Sequence, residues 1–131
     1  VGDGPQKEFL KNIAGGNIRF LGHLPNDRLP EIYERHDVFI LPSLYEPWGL
    51  VVEEALFRGL PVIASDKVGS AADMVTALET GAVFSLAAPD GLSNAIHEVE
   101  ENYETMARRV ADINWNGRVE AQLKAYTSLL D

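Results

Sequence analysis

Short apolar runs that alternate with helical patterns constrain the fold of this chain more than any other feature of its sequence. Residues 38–41 and 60–65 are almost wholly apolar, which is typical of strands that a parallel sheet buries on both faces. Strand and helix patterns alternate five times along the chain, and helices then complete it. This order predicts an α/β fold built on a doubly wound, Rossmann-like parallel sheet.

The individual elements follow from this periodicity and from the turn residues between the runs. Asn26 or Asp27 is a candidate N-cap for the second helix, and Asp90 is a candidate N-cap for a later one. Strands are predicted over residues 18–21, 38–41, 60–65 and 81–84. Helices are predicted over residues 5–14, 28–36, 90–101, 103–113 and 115–130, with Asn114 as the break before the last. A further helix is predicted to follow Gly49 and to run to Gly59, and a loop and a short helix are predicted to fill residues 67–78.

Composition narrows the class of protein. The length of 131 residues predicts a single domain over residues 1–131. Acidic residues outnumber basic ones by 20 to 11, and the basic residues form no stripe, so nucleic acid is not an expected partner. There is no cysteine, and the three histidines are scattered, which argues against a metal centre. Without an apolar run of transmembrane length, we expect a cytoplasmic protein, with peripheral contact at the inner face of a membrane left open.

The segment over residues 45–55 carries the strongest functional pattern. Glu46 and Glu54 stand with seven residues between them, where an apolar strand passes through a turn into a helix. Carboxylates accept hydrogen bonds from sugar hydroxyls, and the amides that begin a helix can bind phosphate. A site that holds both groups is suited to a nucleotide-activated sugar.

Gly49 begins this helix, and its lack of a side chain lets a ligand approach the backbone closely. The amides of Gly49, Leu50 and Val51 are therefore candidates for contacts to sugar oxygens and to a diphosphate. Glu54 lies one turn after Leu50 on the same helix face, and it can accept hydrogen bonds from a ribose. Trp48 either stacks on a ligand or wedges under the helix. The segment contains no lysine or arginine, so cations for a diphosphate must come from elsewhere.

Other candidate positions fall where predicted strands end. In open α/β sheets, ligands bind beyond the carboxyl ends of the strands. Gly2 and Gly4 form a glycine-rich turn at one such end, and His23 follows the predicted strand over residues 18–21 at another. The candidate residues therefore cluster where the fold predicts a site.

Residues 45–55 resemble the donor-binding signature of retaining nucleotide-sugar glycosyltransferases, the large GT-B group that contains bacterial mannosyl- and glucosyltransferases and glycogen synthases. Six runs match that family in order and in spacing, so the resemblance is specific and covers nearly the whole chain. Besides the signature, these runs are residues 1–5, 18–22, 37–43, 59–65 and 80–81. The final helix beginning near Trp115 fits the family as well.

The resemblance implies a two-lobed enzyme in which this chain is most of the C-terminal, donor-binding lobe. It implies that Glu46 is the catalytic residue that contacts the donor sugar and that Glu54 binds the ribose. It also implies that the backbone near His23 and Leu24 lies beside the nucleobase. The implied reaction transfers a sugar from a nucleoside diphosphate to a hydroxyl acceptor with retention of configuration. The implied partners are the nucleotide sugar and the acceptor lobe of the same protein, and neither a cofactor nor a metal is expected.

The chain departs from the family pattern in two places. Trp48 stands where phenylalanine is usual, and residues 69–73 read Gly, Ser, Ala, Ala, Asp where the family often has two glycines, a proline and a glutamate. The family's first strand in this lobe, with an arginine and a lysine that bind the diphosphate, would precede Val1. We therefore expect the chain to be poorly stable alone, or to be completed by further residues, because two neighbouring strands would lack a partner.

Other interpretations stay open at this stage. A nucleotide-sugar epimerase of the same two-lobed shape would use an acid/base pair flanking the sugar. A nucleotide-binding scaffold would need no catalytic group, and a phospho-acceptor receiver domain would need an acidic cluster at its first strand end. Glu46 and Glu54 could also be ordinary surface residues of an acidic chain. Whatever the role of those two residues, Glu53 is interpreted as solvated or as part of a structural pair, and the acidic run over residues 98–104 as a solvated helix face.

Overall fold

The first of two compact units contains only short helices and loops. The computed structural model describes residues 1–127, and the chain divides into the units Val1–His36 and Asp37–Asp131. In the first unit lie helix α1 (Lys7–Ile13), a 3-10 turn (Asn26–Arg28) and helix α2 (Leu29–Tyr33). Both predicted helices are confirmed at shorter lengths. The 3-10 turn takes up the predicted start of the second helix at residue 28.

Two expectations for the first unit are wrong. The segment over residues 18–21 has no regular secondary structure. A strand is held by the hydrogen bonds of its neighbours, and the three-stranded sheet of the described chain does not include this segment. Asn26 and Asp27 cap no helix, because both lie inside the 3-10 turn. Pro25 takes the N-cap position of that turn, and Arg28 takes the N-cap position of α2.

The second unit is built on a parallel sheet of three strands in the order β1-β2-β3. Ile63 in the central strand lies opposite Ile40 on one side and Ala82 on the other. Every residue of β2 is buried, as expected for a central parallel strand. The α/β class and the three predicted strands of this unit are therefore confirmed. The strands are β1 (Phe39–Leu41), β2 (Val62–Ser65) and β3 (Gly81–Phe84).

Helices pack against this sheet and form the core with it. α3 contacts β1 and β2, and α4 contacts β2 and β3. α3 buries Val52, Ala55 and Leu56, and each large apolar side chain buried in this way stabilises the fold by about 1.5–3 kcal/mol. The helical segments are α3 (Leu50–Phe57), a π-helical turn (Ala71–Thr76), α4 (Gly91–Ala111) and α5 (Trp115–Thr127). The core beneath α4 contains Ile63, Ala82, Phe84, Ala95, Val99 and Met106.

α4 is one continuous helix of 21 residues, so the prediction of two helices over residues 90–101 and 103–113 is wrong. Val99 and Met106 are both buried, and their spacing continues one apolar face across the supposed break. Asn102 lies inside this helix, and its side-chain amide donates to the carbonyl of Glu98 at 2.8 Å. The tertiary contact of the apolar face outweighs the weak helix preference of a single asparagine.

The ends of the last two helices are close to their predicted positions. Asp90 occupies the N-cap of α4, although its side chain makes no capping hydrogen bond. α5 begins at Trp115, and the predicted helical residues 128–130 lie outside the described residues. The ring of Trp115 packs edge-on against Phe57, with centroids 5.6 Å apart and an interplanar angle of 70°. This aromatic contact joins α5 to the end of α3.

An apolar groove of about 410 Å³ lies beside β1 and α4. Ile40 of β1 and Ile96 of α4 are both exposed there, although strands of parallel sheets are usually covered on both faces. In the described part of the chain, β1 is the end strand of the sheet. The expectation that further residues complete this fold stays a prediction.

Candidate functional site

The candidate site lies where β1, β2 and β3 end. Residues 42–49 connect β1 to α3, residues 66–70 connect β2 to the π-helical turn, and residues 85–90 connect β3 to α4. Because parallel strands end on the same edge of a sheet, the three loops share one rim. The predicted donor-binding segment forms the first of these loops and the start of α3.

Gly49 sets the geometry at the start of α3. It has the left-handed conformation, with φ of 89° and ψ of 61°, and it is the N-cap of the helix without a side-chain cap. The first amides of a helix have no partner within the helix and carry partial positive charge. The structure thus places the amides of Leu50 and Val51 at the beginning of an eight-residue helix, as the sequence predicts.

Gly49 is also closely surrounded, so a side chain would not fit easily. A Cβ atom at this position would lie 3.0 Å from Cγ1 of Val68, 3.2 Å from Cγ of Glu46 and 3.5 Å from Oγ of Ser70. The left-handed conformation is itself costly for a residue with a side chain. Two independent constraints therefore require glycine here, and the close contacts with Val68 and Ser70 come from the loop after β2.

The loop after β2 supports the segment that carries Glu46. The amide of Glu46 donates to the carbonyl of Lys67 at 3.0 Å, and the carbonyl of Glu46 accepts from the amide of Gly69 at 2.9 Å. The amide of Ser70 donates to the carbonyl of Trp48 at 2.8 Å. Glu46 and Val68 thus form an isolated parallel bridge. These bonds fix the backbone of Glu46, and with it the place on the loop from which its side chain extends.

The three glutamates of the segment have different surroundings. Glu46 is half-buried in the loop, and Glu54 is exposed on α3. Glu53 accepts a hydrogen bond of 2.7 Å from Nε1 of Trp48, so its interpretation as a member of a structural pair is confirmed. Because the indole nitrogen of Trp48 donates to Glu53, a ligand would contact this side chain through the exposed part of the indole ring. The predicted roles of Glu46, Glu54 and Trp48 toward a ligand stay predictions.

Asp66 is held by hydrogen bonds between the loops after β2 and β3. Its carboxylate accepts from Oγ of Ser85 at 2.9 Å and from the amide of Leu86 at 3.4 Å. Nζ of Lys67 lies 3.9 Å from the same carboxylate. The Ser85 hydrogen bond, with smaller contributions from the Leu86 amide and the Lys67 charge, lowers the pKa of Asp66 below its ordinary value. Lys67 is the single basic residue on the three loops.

We expect Asp66 to make the stability of the chain depend on pH in the acid range. Its pKa is lower in the folded chain than the value near 3.9 of an unfolded aspartate. The stability that its carboxylate contributes is therefore complete above about pH 5 and is lost as the pH falls through the lowered folded pKa. The variant Asp66→Asn should unfold at a lower temperature than wild type. The difference between the two unfolding temperatures should be constant above about pH 5 and should shrink below about pH 4.

The measurement is the unfolding temperature of wild type and variant at several pH values. Asp73→Asn is the control, because the Asp73 carboxylate has no hydrogen bond or ion pair within residues 1–127. A deficit in Asp66→Asn that stays the same down to about pH 2 would contradict the assignment.

The candidates of the first unit meet through one backbone hydrogen bond. The amide of Gly2 donates to the carbonyl of Gly22 at 2.7 Å, so the glycine-rich turn lies one residue away from His23. The amide of Gly4 donates to the side chain of Asp3, whose pKa is lowered chiefly by a hydrogen bond from Lys7. His23 is exposed and Leu24 is half-buried. The structure thus brings Gly2 near His23, and their predicted contacts to a donor stay untested.

Sequence reasoning did not find the supporting role of residues 67–70. A Cβ at Gly69 would lie 1.9 Å from the carbonyl oxygen of Pro47 and 3.2 Å from Cα of Trp48. The glycine is therefore required by the close approach of another loop rather than by its own dihedral angles. A glycine in the loop after a buried strand is the signal that could have suggested such an approach, because glycine lets another backbone come close.

Solved structures place this chain in the GT-B glycosyltransferase fold. It matches sucrose-phosphate synthase from Thermosynechococcus elongatus with a TM-score of 0.70 and 28% identity, covering 98% of this chain and 37% of that one. The catalytic domain of starch synthase IV from Arabidopsis thaliana, solved with ADP and acarbose, gives a TM-score of 0.67 at 21% identity, covering 93% of this chain and 28% of that one. These matches confirm the predicted Rossmann-like fold.

Sequence comparison identifies the family. Residues 1–113 match the family described as glycosyl transferases group 1, and the chain therefore belongs to it. It is 37% identical over 97 residues to sulfoquinovosyl transferase from Arabidopsis thaliana, covering 73% of this chain and 19% of that protein. It is 30% identical over 139 residues to a glycogen synthase from Mycobacterium tuberculosis, covering 96% and 33%. The chain thus spans between about a fifth and a third of the length of these relatives.

Two further properties concern the membrane and metal ions. None of the helices within residues 1–127 combines the length and the apolar character that crossing a membrane requires. The described residues also bring together no group of three or more histidine, aspartate or glutamate side chains that could hold a cation. The expectation that donor binding needs no metal stays a prediction.

Proposed function

We propose that this chain is the donor-binding part of a longer glycosyltransferase. The enzyme would transfer a sugar from a nucleoside diphosphate to a hydroxyl acceptor and retain the anomeric configuration. One observation carries the proposal: Glu46 is fixed by backbone hydrogen bonds beside Gly49, the left-handed residue that begins α3. Membership of the group 1 glycosyl transferase family supports it.

Each part of a nucleotide sugar has a candidate partner among the predicted site residues. The amides of Gly49, Leu50 and Val51 would bind the diphosphate and sugar oxygens, since helix-start amides favour anions. The carboxylate of Glu54, exposed on α3, would accept from the hydroxyls of the ribose, and that of Glu46 from hydroxyls of the transferred sugar. For the nucleobase, the family resemblance implies contacts to the backbone near His23 and Leu24 and to the turn at Gly2 and Gly4.

The proposed chemistry is mainly electrostatic. The bond between the anomeric carbon and the phosphate oxygen breaks, and a new bond forms between that carbon and the acceptor oxygen. The departing phosphate oxygen takes the acceptor proton, so no carboxylate of this chain has to act as nucleophile. Positive charge at the start of α3 stabilises the negative charge that develops on the leaving phosphate. Lys67 is a candidate to add to this charge, together with the arginine and lysine that the family resemblance implies upstream.

The decisive experiment on reaction type is product analysis with the full-length polypeptide. UDP-, GDP- and ADP-linked sugars are each incubated with hydroxyl acceptors and also with water as the acceptor. We expect release of free nucleoside diphosphate with one base, and a product whose anomeric configuration by NMR equals that of the donor. Interconversion of the sugar without release of nucleoside diphosphate would instead indicate an epimerase. Nucleotide binding without either reaction would indicate a scaffold.

A further inference from the structure

We propose that Ser70 is a positioning residue for Glu46 and donates a hydrogen bond to its carboxylate when the donor sugar is bound. The inference rests on the proposed function, because it gives Glu46 a defined orientation toward the sugar. It adds a residue that lies outside the segment over residues 45–55. Four observations lead to it.

The first observation is a buried hydroxyl without a partner. Ser70 is 0% exposed, and within residues 1–127 its Oγ is the one buried side-chain oxygen or nitrogen that has no hydrogen-bond partner. Buried polar groups are nearly always hydrogen-bonded, because leaving one unpaired costs about 1–3 kcal/mol. An unpaired hydroxyl beside a candidate ligand site therefore needs an explanation.

The second observation is that comparable hydroxyls in this unit are paired. Ser65 and Thr80 are also 0% exposed. Oγ of Ser65 donates to the carbonyl of Ser43 at 2.6 Å, and Oγ1 of Thr80 donates to the carbonyl of Met74 at 2.6 Å. This fold satisfies its buried hydroxyls elsewhere, so the unpaired state of Ser70 is specific to its position.

The third observation is where the hydroxyl lies. Oγ of Ser70 and Cγ of Glu46 are both within 3.5 Å of one point, the position that a Cβ of residue 49 would take. Residue 49 is glycine, so no side chain of its own separates the two groups. The hydroxyl therefore faces the start of α3 and the stem of the Glu46 side chain.

The fourth observation is that both backbones are fixed. The amide of Ser70 is bonded to Trp48, and the carbonyl of Glu46 is bonded to Gly69. A rotation of the Glu46 side chain, without any movement of the loops, can bring its carboxylate toward Ser70. A carboxylate can accept several hydrogen bonds, so it can bind the serine and a sugar hydroxyl together. Hydrogen bonds to an ionised carboxylate are roughly twice as strong as neutral ones.

The test compares Ser70→Ala with wild type in the full-length polypeptide by calorimetric titration. We expect the affinity for the nucleotide sugar to fall about tenfold, which is the loss of one hydrogen bond to a charged group. The affinity for the matching free nucleoside diphosphate should not change, because Glu46 serves the sugar. Thermal unfolding without ligand should not be weakened, since the removed hydroxyl has no partner. Ser65→Ala is the stability control, and it should unfold at a lower temperature because it loses a bond to Ser43.

A double variant tests the link between the two residues. If Ser70 acts through Glu46, then adding Ser70→Ala to Glu46→Gln should weaken sugar-nucleotide binding much less than it does in wild type. Equal losses for nucleotide and nucleotide sugar, or a lower unfolding temperature like that of Ser65→Ala, would overturn the inference in favour of a structural role. Nucleotide binding with no effect of Ser70→Ala would overturn it while leaving the proposed function intact. A wild-type polypeptide that binds no nucleotide would overturn both.

Discussion

Glu46→Gln is expected to lower kcat for sugar transfer by about 100- to 1,000-fold, the usual effect of removing one positioned electrostatic group from a transition state. Glutamine keeps the shape of the side chain but removes its negative charge. The free energy of unfolding should change by less than about 0.5 kcal/mol, because the backbone of Glu46 makes the hydrogen bonds that hold the loop. The affinity for free nucleoside diphosphate should also be unchanged. The measurement is kcat and KM of the full-length polypeptide with its nucleotide sugar.

Glu101→Gln is the matched control for charge. Glu101 is exposed on α4, so the same chemical change there should leave kcat within about twofold of the wild-type value. Such a small ratio of rates corresponds to a small change in the activation free energy. Similar losses of kcat in both variants would show that net charge matters rather than the position of Glu46. Loss of nucleotide affinity in Glu46→Gln would assign this carboxylate to another part of the donor.

Gly69→Ala is expected to lower the free energy of unfolding by about 2–4 kcal/mol. Its Cβ would lie 1.9 Å from the carbonyl oxygen of Pro47 and 2.8 Å from the carbonyl carbon. Both are backbone atoms, so the loop after β1 must move rather than a flexible side chain. Since that movement breaks the pairing of Gly69 with Glu46, donor affinity should fall together with stability. Chemical denaturation and donor titration measure the two losses.

Gly16→Ala is the control for this substitution. A Cβ at Gly16 would meet nothing within 4 Å, and the residue does not have a positive φ. We expect this variant to unfold within about 0.5 kcal/mol of wild type, because it only replaces glycine by alanine at an open position. If Gly69→Ala were equally harmless, the tight contact between the loops after β1 and β2 would not exist in solution.

Local sequence patterns were sufficient to predict the three strands of the second unit and the start of α3. The apolar runs that became β1, β2 and β3 carry their signal in consecutive residues, and glycine at position 49 marks the start of α3. By contrast, the segment over residues 18–21 has the composition of a strand but is not one, because a strand depends on neighbours that its own sequence does not encode. The single helix α4 likewise follows from its contact with the sheet.

Some residues of the candidate site could likewise be predicted from the sequence, and others could not. Glu46, Gly49 and Glu54 could be singled out because their types and spacing lie within one segment. The contribution of Gly69 and Ser70 could not be read from the sequence, because it comes from contacts between two loops about twenty residues apart in the chain. Such pairing is set by the register of β1 and β2, which only the folded chain shows.

The central claim is that the segment with Glu46 and Glu54 binds a nucleotide sugar. The most direct test is calorimetric titration of the full-length polypeptide with UDP, GDP and ADP, for wild type, Glu54→Ala and the surface control Glu101→Ala. We expect one nucleotide to bind wild type and the control equally. Glu54→Ala should bind it at least about tenfold more weakly, because a charged acceptor for the ribose hydroxyls is lost. Equal affinity in Glu54→Ala, or no binding of any nucleotide to wild type, would contradict the account.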